Sequence, residues 1–243
     1  MQKRIACAVA LAAAFAVPAS AQAEVIQDFT ISAKPNKAST AKKKRSVTLK
    51  VVTGTRDTTG AQPPTTRNAT IFFPKGSQWN GDLFPKCSAS SISAARSTED
   101  CPEGSIVGKG TVTGVATGGI TQNDVTIVVA NGGKSGVNMF VEGSSPLRIQ
   151  SNIVGTLSGA SGKYGLKLKV PVPANLQEPA PGVKVAITLF QVKIQKSKKV
   201  KGKTRGIVEI NKCSGGTWNA KGDFQYAGGA APKTVELSQK CTK

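Results

Sequence analysis

The sequence predicts an all-β protein, an antiparallel β-sandwich of the immunoglobulin-like or jelly-roll-like kind, with one short helix at most and two disulfides. Three observations predict it. Short apolar runs alternate with polar residues and are separated by Gly, Pro, Asn, Ser and Thr at intervals of roughly ten residues. Helical periodicity is nearly absent, so the ten-residue helices that βαβ units need between strands are missing. Beyond a leader-like start, four cysteines remain, an even set for an exported chain.

The elements follow in chain order. Residues 1–23 read as a removable export leader. Lys3 and Arg4 give a positive start, residues 5–17 are apolar but too short to anchor in a bilayer, and residues 18–23 end in a small-x-small site with cleavage expected after Ala23. Cys7 lies early in the apolar run, where lipid attachment is not expected. Residues 25–31 form the first expected strand, and residues 34–45 a polar, basic connector. In 46–51, Val47, Leu49 and Val51 share one face; in 68–73, Ala69, Ile71 and Phe73 do the same. Further strands are expected at 106–115, 124–130, 137–142, 147–154, 164–170, 183–194, 206–210, 217–226 and 234–237. The one candidate helix lies in residues 88–97. A single domain over residues 24–243 is expected, with a split near Gly118 as the alternative.

Cys87, Cys101, Cys213 and Cys241 allow three pairings. Cys87–Cys101 with Cys213–Cys241 is expected, because short loops close at least entropic cost. A four-thiolate zinc site lacks the two-to-four-residue gaps that present two sulfurs to one metal, and no Cys-x-x-Cys redox pair exists.

Two stretches carry a resemblance. Phe84-Pro85-Lys86-Cys87 leads to Cys101-Pro102-Glu103-Gly104-Ser105, then Gly108 and Gly110; near the end, Cys213 is followed by Trp218, Phe224, Tyr226 and Cys241. The pattern resembles a group of uncharacterised secreted proteins of high-GC Gram-positive bacteria. They combine a P-x-C … C-P-x-x-S-x-x-G-x-G block with a terminal C-x-x-x-x-W … F-x-Y … C unit. The resemblance implies an exported β-sandwich with the same disulfide pairing, and no activity. Read physically, Trp218, Phe224 and Tyr226 at even spacing share one sheet face and pack as core over a disulfide.

Composition excludes several chemistries. The 243 residues contain no histidine, which removes His-based triads, His general bases and His-containing zinc sites. Gly159-Ala160-Ser161 lacks the final glycine of a hydrolase elbow, and Ser39 with Lys42 has dyad spacing in a tract without strand pattern. Gly132-Gly133-Lys134-Ser135 resembles the end of a phosphate-binding loop, but no helix follows, and a hairpin turn is expected instead. For a carboxylate-pair hydrolase acting on polysaccharide, the alternative to a non-enzyme, the strand acids are Glu142 and Glu209. Glu99, Asp100 and Glu103 around Cys101 read as solvated surface. No cofactor or metal is expected.

Charge remains. Thirty-three Lys and Arg stand against 13 Asp and Glu, a formal charge of +20. Seven cations crowd between residues 193 and 205: Lys193, Lys196, Lys198, Lys199, Lys201, Lys203 and Arg205, with Lys201-Gly202-Lys203 as the expected turn of a protruding hairpin. Residues 42–45 form a second cluster. For an extracellular or surface-held chain, the expected partner is an anionic cell-wall polymer or an acidic lipid surface. Sequence-specific nucleic-acid binding is not expected, since one Arg and no interleaved aromatics accompany the lysines. The plainer reading is that the lysines keep the surface soluble and the strand edges unpaired. The sequence thus points to a secreted, non-enzymatic binding or surface-structural module.

Overall fold

The computed structural model describes residues 24–40, 43 and 45–243. The expected leader, with Cys7 and the cleavage point, lies outside them, as do Lys42 and Lys44. The order of elements is β1 (Val25–Lys34), β2 (Thr48–Asp57), β3 (Thr66–Pro74), β4 (Ser77–Trp79), a 3-10 turn (Gly81–Leu83), α1 (Ala89–Ala95), β5 (Ile106–Ala116), β6 (Ile120–Asn131), β7 (Gly136–Gly143), β8 (Ile149–Gly159), β9 (Tyr164–Pro171), α2 (Ala174–Gln177), β10 (Val185–Ile194), β11 (Ser197–Val200), β12 (Lys203–Gly206), β13 (Val208–Ile210), β14 (Thr217–Tyr226) and β15 (Lys233–Lys240).

The all-β antiparallel class and both disulfides are as the sequence predicts. Eleven strands form one sheet in the order β1-β2-β10-β5-β6-β7-β8-β9-β3-β14-β15, and β11-β12 and β13-β4 are separate two-stranded ribbons. The sheet curls until β1 lies beside β15, so the two packed layers of the expected sandwich are opposite walls of one nearly closed barrel. Every pairing within it is antiparallel. Strand ends therefore gather in two rims. One rim, the mouth, holds Val25, Ala116, Gly143, Val185 and Tyr226. The other, the base, is covered by residues 35–40, 45–47, 75–105 and 195–216.

The alternation that marks the strands also builds the core. In β14 Trp218, Ala220, Phe224 and Tyr226 point inward and are buried, with Trp218 in one cluster with Cys213 and Cys241. Phe29 of β1 meets Phe224 edge-on, with centroids 5.9 Å apart. No ladder joins β1 to β15. Instead, the Ala33 N–H donates to Gln239 Oε1 and Gln239 Nε2 donates to the Ala33 carbonyl, both at 2.9 Å, so one side-chain amide stands in for a strand. A parallel bridge between Lys37 and Thr242 extends the join at the base.

Cys87–Cys101 closes a loop of 14 residues around α1, and Cys213–Cys241 one of 28 that fastens the chain end to the base. Each contributes about 3 kcal/mol by restricting the unfolded chain. The expected helix is α1: Ser88 Oγ accepts from the Ser91 N–H at its start, and Ile92 is buried. The single-turn α2 is a second helix where at most one was expected. Four residues behind Pro173 are too short to leave a periodic trace. Strands β4 and β11 were not expected for the same reason, and the strand expected at 206–210 is interrupted at Ile207, between β12 and β13. Gly118 and Gly119, both at positive φ (87° and 78°), make the tight β5–β6 turn, and the sheet interleaves strands from both sides of it.

Inside the mouth, Gln27 Oε1 accepts from Thr55 Oγ1 and from the Tyr226 hydroxyl, each at 2.8 Å. Burial pushes the Tyr226 phenol up to about 12. A raised folded value means the contribution is complete below the ordinary phenol value of 10 and is lost as pH rises through about 12. Stability is thus expected to fall between those limits. In a spectroscopic tyrosinate titration, Tyr226 should ionise together with unfolding; independent ionisation near pH 10 in the folded protein would contradict the buried placement.

Candidate polyanion-binding face

The basic tract forms a hairpin, as expected, but on two short strands of its own rather than between the expected strands 183–194 and 206–210, since β10 pairs with β2 and β5 and β13 with β4. β11 pairs with β12 with Val200 opposite Lys203, leaving Lys201 and Gly202 as a two-residue turn. Both central residues have positive φ, 47° and 73°, the arrangement whose twist matches flanking strands. Lys198, Lys199, Lys201 and Lys203 are exposed and Lys196 is half-buried at the root. Lys198 Nζ lies 5.4 Å from the centre of the buried Phe84 ring, a cation–π contact.

Arg205 has another task. Its Nε donates to Glu209 Oε1 at 2.7 Å and its Nη2 reaches Glu209 Oε2 and Asn80 Oδ1, both at 3.3 Å. Glu209 is fully buried and also accepts from the Gly206 N–H at 3.1 Å. A buried carboxylate needs such partners, so Arg205 anchors the hairpin root rather than joining the free cations.

Sheet register adds residues that the sequence did not reveal. Lys193 of β10 pairs with Lys50 of β2 on one side and Lys109 of β5 on the other. The three exposed ammonium groups form a row across adjacent strands, with Cβ atoms roughly 5 Å apart. Each is outward by simple alternation, but only the pairing aligns them. β10 leads through Gln195 and Lys196 directly into the hairpin, so row and hairpin are continuous. The chain that follows the second basic cluster runs there too. Val47 N–H donates to the Val208 carbonyl, and Ser46 fills the space where Gly206 would carry a Cβ. Within that cluster Lys43 is exposed, whereas Arg45 turns inward to the Ala38 carbonyl at 2.6 Å.

None of Lys50, Lys109, Lys193, Lys196, Lys198, Lys199, Lys201 or Lys203 is in an ion pair among the described residues. The opposite wall differs. There Lys163 pairs with Glu236 at 2.6 Å and Lys221 with Asp223 at 2.8 Å while lying 4.2 Å from the Phe72 ring centre. Like charges set side by side cost stability, so an uncompensated row is unfavourable unless something anionic meets it.

The carboxylates do not assemble. Glu142 lies near the mouth end of β7 and Glu209 at the base, so this pair is at opposite rims. Glu99, Asp100 and Glu103 are exposed, as expected. Asp124 accepts from the Ser144 hydroxyl, from the Ser144 and Ser145 N–H groups and from Gln122, which hold its carboxyl down at about 2 and shape the β7–β8 turn. Residues 132–135 form the β6–β7 hairpin turn; Asn131 Nδ2 reaches back to the Gly81, Phe84 and Pro85 carbonyls. Among the described residues no group of three or more His, Cys, Asp or Glu is placed to hold a metal ion, and no helix is long and apolar enough to cross a membrane. Comparison with family models, curated proteins and solved structures finds no match to this chain.

Replacing Glu209 by Gln removes the counter-charge beneath Arg205. The expected cost is about 2 to 4 kcal/mol, scaled down for the part exposure of Arg205, together with faster amide exchange through β11 and β12. An unfolding midpoint equal to wild type would show that the pair does not anchor the hairpin.

Proposed function

We propose that this is a secreted, non-enzymatic binding module that holds to anionic phosphate-bearing surfaces, a cell-wall polymer or an acidic lipid layer, through its hairpin and lysine row. The resemblance to exported proteins of high-GC Gram-positive bacteria belongs to the same proposal. The observation that carries it is the uncompensated row Lys50–Lys193–Lys109 running into a hairpin of free lysines, on a wall where β5, β10, β11 and β12 contain no acidic residue. Two disulfides suit an oxidising compartment. Lysines are mobile point charges that suit a polymer of repeated phosphates better than one fixed, bidentate ligand. Counterion release then supplies affinity, with steep dependence on salt.

The test replaces Lys196, Lys198, Lys199 and Lys201 by Gln and measures binding to a polyphosphate matrix and to vesicles with and without anionic lipid, across a salt series. These side chains are surface-borne, so the fold should persist. The expected result is elution at clearly lower salt and a shallower salt dependence, by about one unit of slope for each phosphate that is no longer neutralised. The matrix and vesicle arms separate polymer from lipid. Retention equal to wild type in both would remove this function.

A further inference from the structure

We infer that the barrel interior is a binding site for one small, uncharged apolar molecule, of aromatic-ring or short-alkyl size. This goes beyond surface adhesion and stands independently of it. Between the two walls lies a cavity of about 140 Å³, lined by every strand of the main sheet except β15. Its volume matches the roughly 150 Å³ apolar cavity that stays dry and accepts benzene. The space follows from the sequence. About eight strands close a barrel that side chains can fill, whereas this sheet has eleven. Its inward positions are occupied largely by short residues, among them Val51, Val125, Val129, Val137, Val141 and Val192. Branched three-carbon side chains do not reach across it.

The side-chain amides at its rim are already satisfied by protein. Gln27 Nε2 donates to Thr53 Oγ1 at 2.6 Å and to the Gly54 carbonyl at 2.9 Å, while its oxygen accepts from Thr55 and Tyr226. Gln122 Nε2 donates to Asp124 and its Oε1 accepts from the Leu147 N–H at 2.9 Å. The buried polar atoms without partners among the described residues, on Asn68, Ser77, Asn152 and Asn211, do not line the cavity. A buried water needs two to four polar partners, and of the side chains lining this interior only the Thr66 hydroxyl has no hydrogen bond among the described residues, too few to hold one. Any occupant must therefore be apolar, and no charge waits inside to meet an ionised ligand.

The way in is at the mouth. Residues 172–184 cross it, and Leu176 of α2 and Val172 line the cavity. The segment is fixed at its two ends, by Val172 N–H to the Arg67 carbonyl at 3.0 Å and by Thr117 N–H to the Lys184 carbonyl at 2.9 Å. Between them its hydrogen bonds are mostly internal, such as Gly182 N–H to Glu178 at 2.7 Å, with one long contact at 3.4 Å between Asn175 and Ser151. Lifting α2 breaks little beyond the packing of Leu176.

Toluene and benzoate, similar in size and different in charge, are the probes. Toluene added to the wild-type protein is expected to saturate at one per chain and to shift the methyl resonances of Val51, Val129 and Val192. Benzoate should bind at least tenfold more weakly. Val192→Phe, which fills the space from β10, should weaken toluene binding at least tenfold. If that variant does not fold, the wild-type contrast decides alone. Non-saturable binding, equal affinity for benzoate, or shifts confined to the exposed Ile120, Val154 and Leu189 would overturn the inference.

Discussion

The constraint on which the rest depends is the join between the first and last strands. Ten of the neighbour pairings around the sheet are made by backbone ladders; the eleventh, between β1 and β15, is made by side chains. An open edge on an eleven-stranded sheet would leave backbone donors and acceptors unpaired and the inner face wet. Gln239 resolves this at Ala33 with a donor and an acceptor in the right order. Phe29 against Phe224 adds an apolar contact, and the Gln27–Tyr226 hydrogen bond closes the mouth side. At the base, the Cys213–Cys241 bridge holds the final residues where Thr242 meets Lys37.

Closure explains why two unlike surfaces coexist on one small chain. Because the walls face each other, the inner positions are mostly apolar, and the two inner amides, Gln27 and Gln122, are each bonded to neighbouring protein groups. The outer positions are then free to carry charge. On the β9-β3-β14-β15 side, Asp223 and Glu236 pair with Lys221 and Lys163. On the other side, β10 and β5 carry lysines and no acids and Lys50 of β2 joins them, and the hairpin extends that field outward from the base. The segment over the cavity lies at the other rim, so the two proposed sites draw on different residues.

Much of the fold was legible because period-2 alternation and turn residues are local signals. Val47, Leu49 and Val51, or Trp218, Phe224 and Tyr226, state their common face in the sequence itself. The disulfide pairing followed from loop length, and the tip of the basic hairpin from Lys201-Gly202-Lys203, of which Lys203 proves to be the first residue of β12. What stayed hidden is non-local. The sequence does not say that β10 sits between β2 and β5, and without that order the Lys50–Lys193–Lys109 row cannot be seen. Arg205 looked like the other cations because its partner Glu209, although only four residues away, is matched to it by the bend at Ile207. The hollow interior depends on strand count and closure, and the glutamine that completes them, Gln239, has no pattern that distinguishes it from a surface residue.

Amide hydrogen exchange at Ala33 tests the closure most directly. If Gln239 completes the sheet, the Ala33 N–H exchanges as slowly as amides in the central strands β5 and β6, and Gln239→Leu releases it while those strands stay protected. Exchange of Ala33 in the unaltered protein at the rate of a free strand edge would mean the sheet is open, and the enclosed interior would not exist.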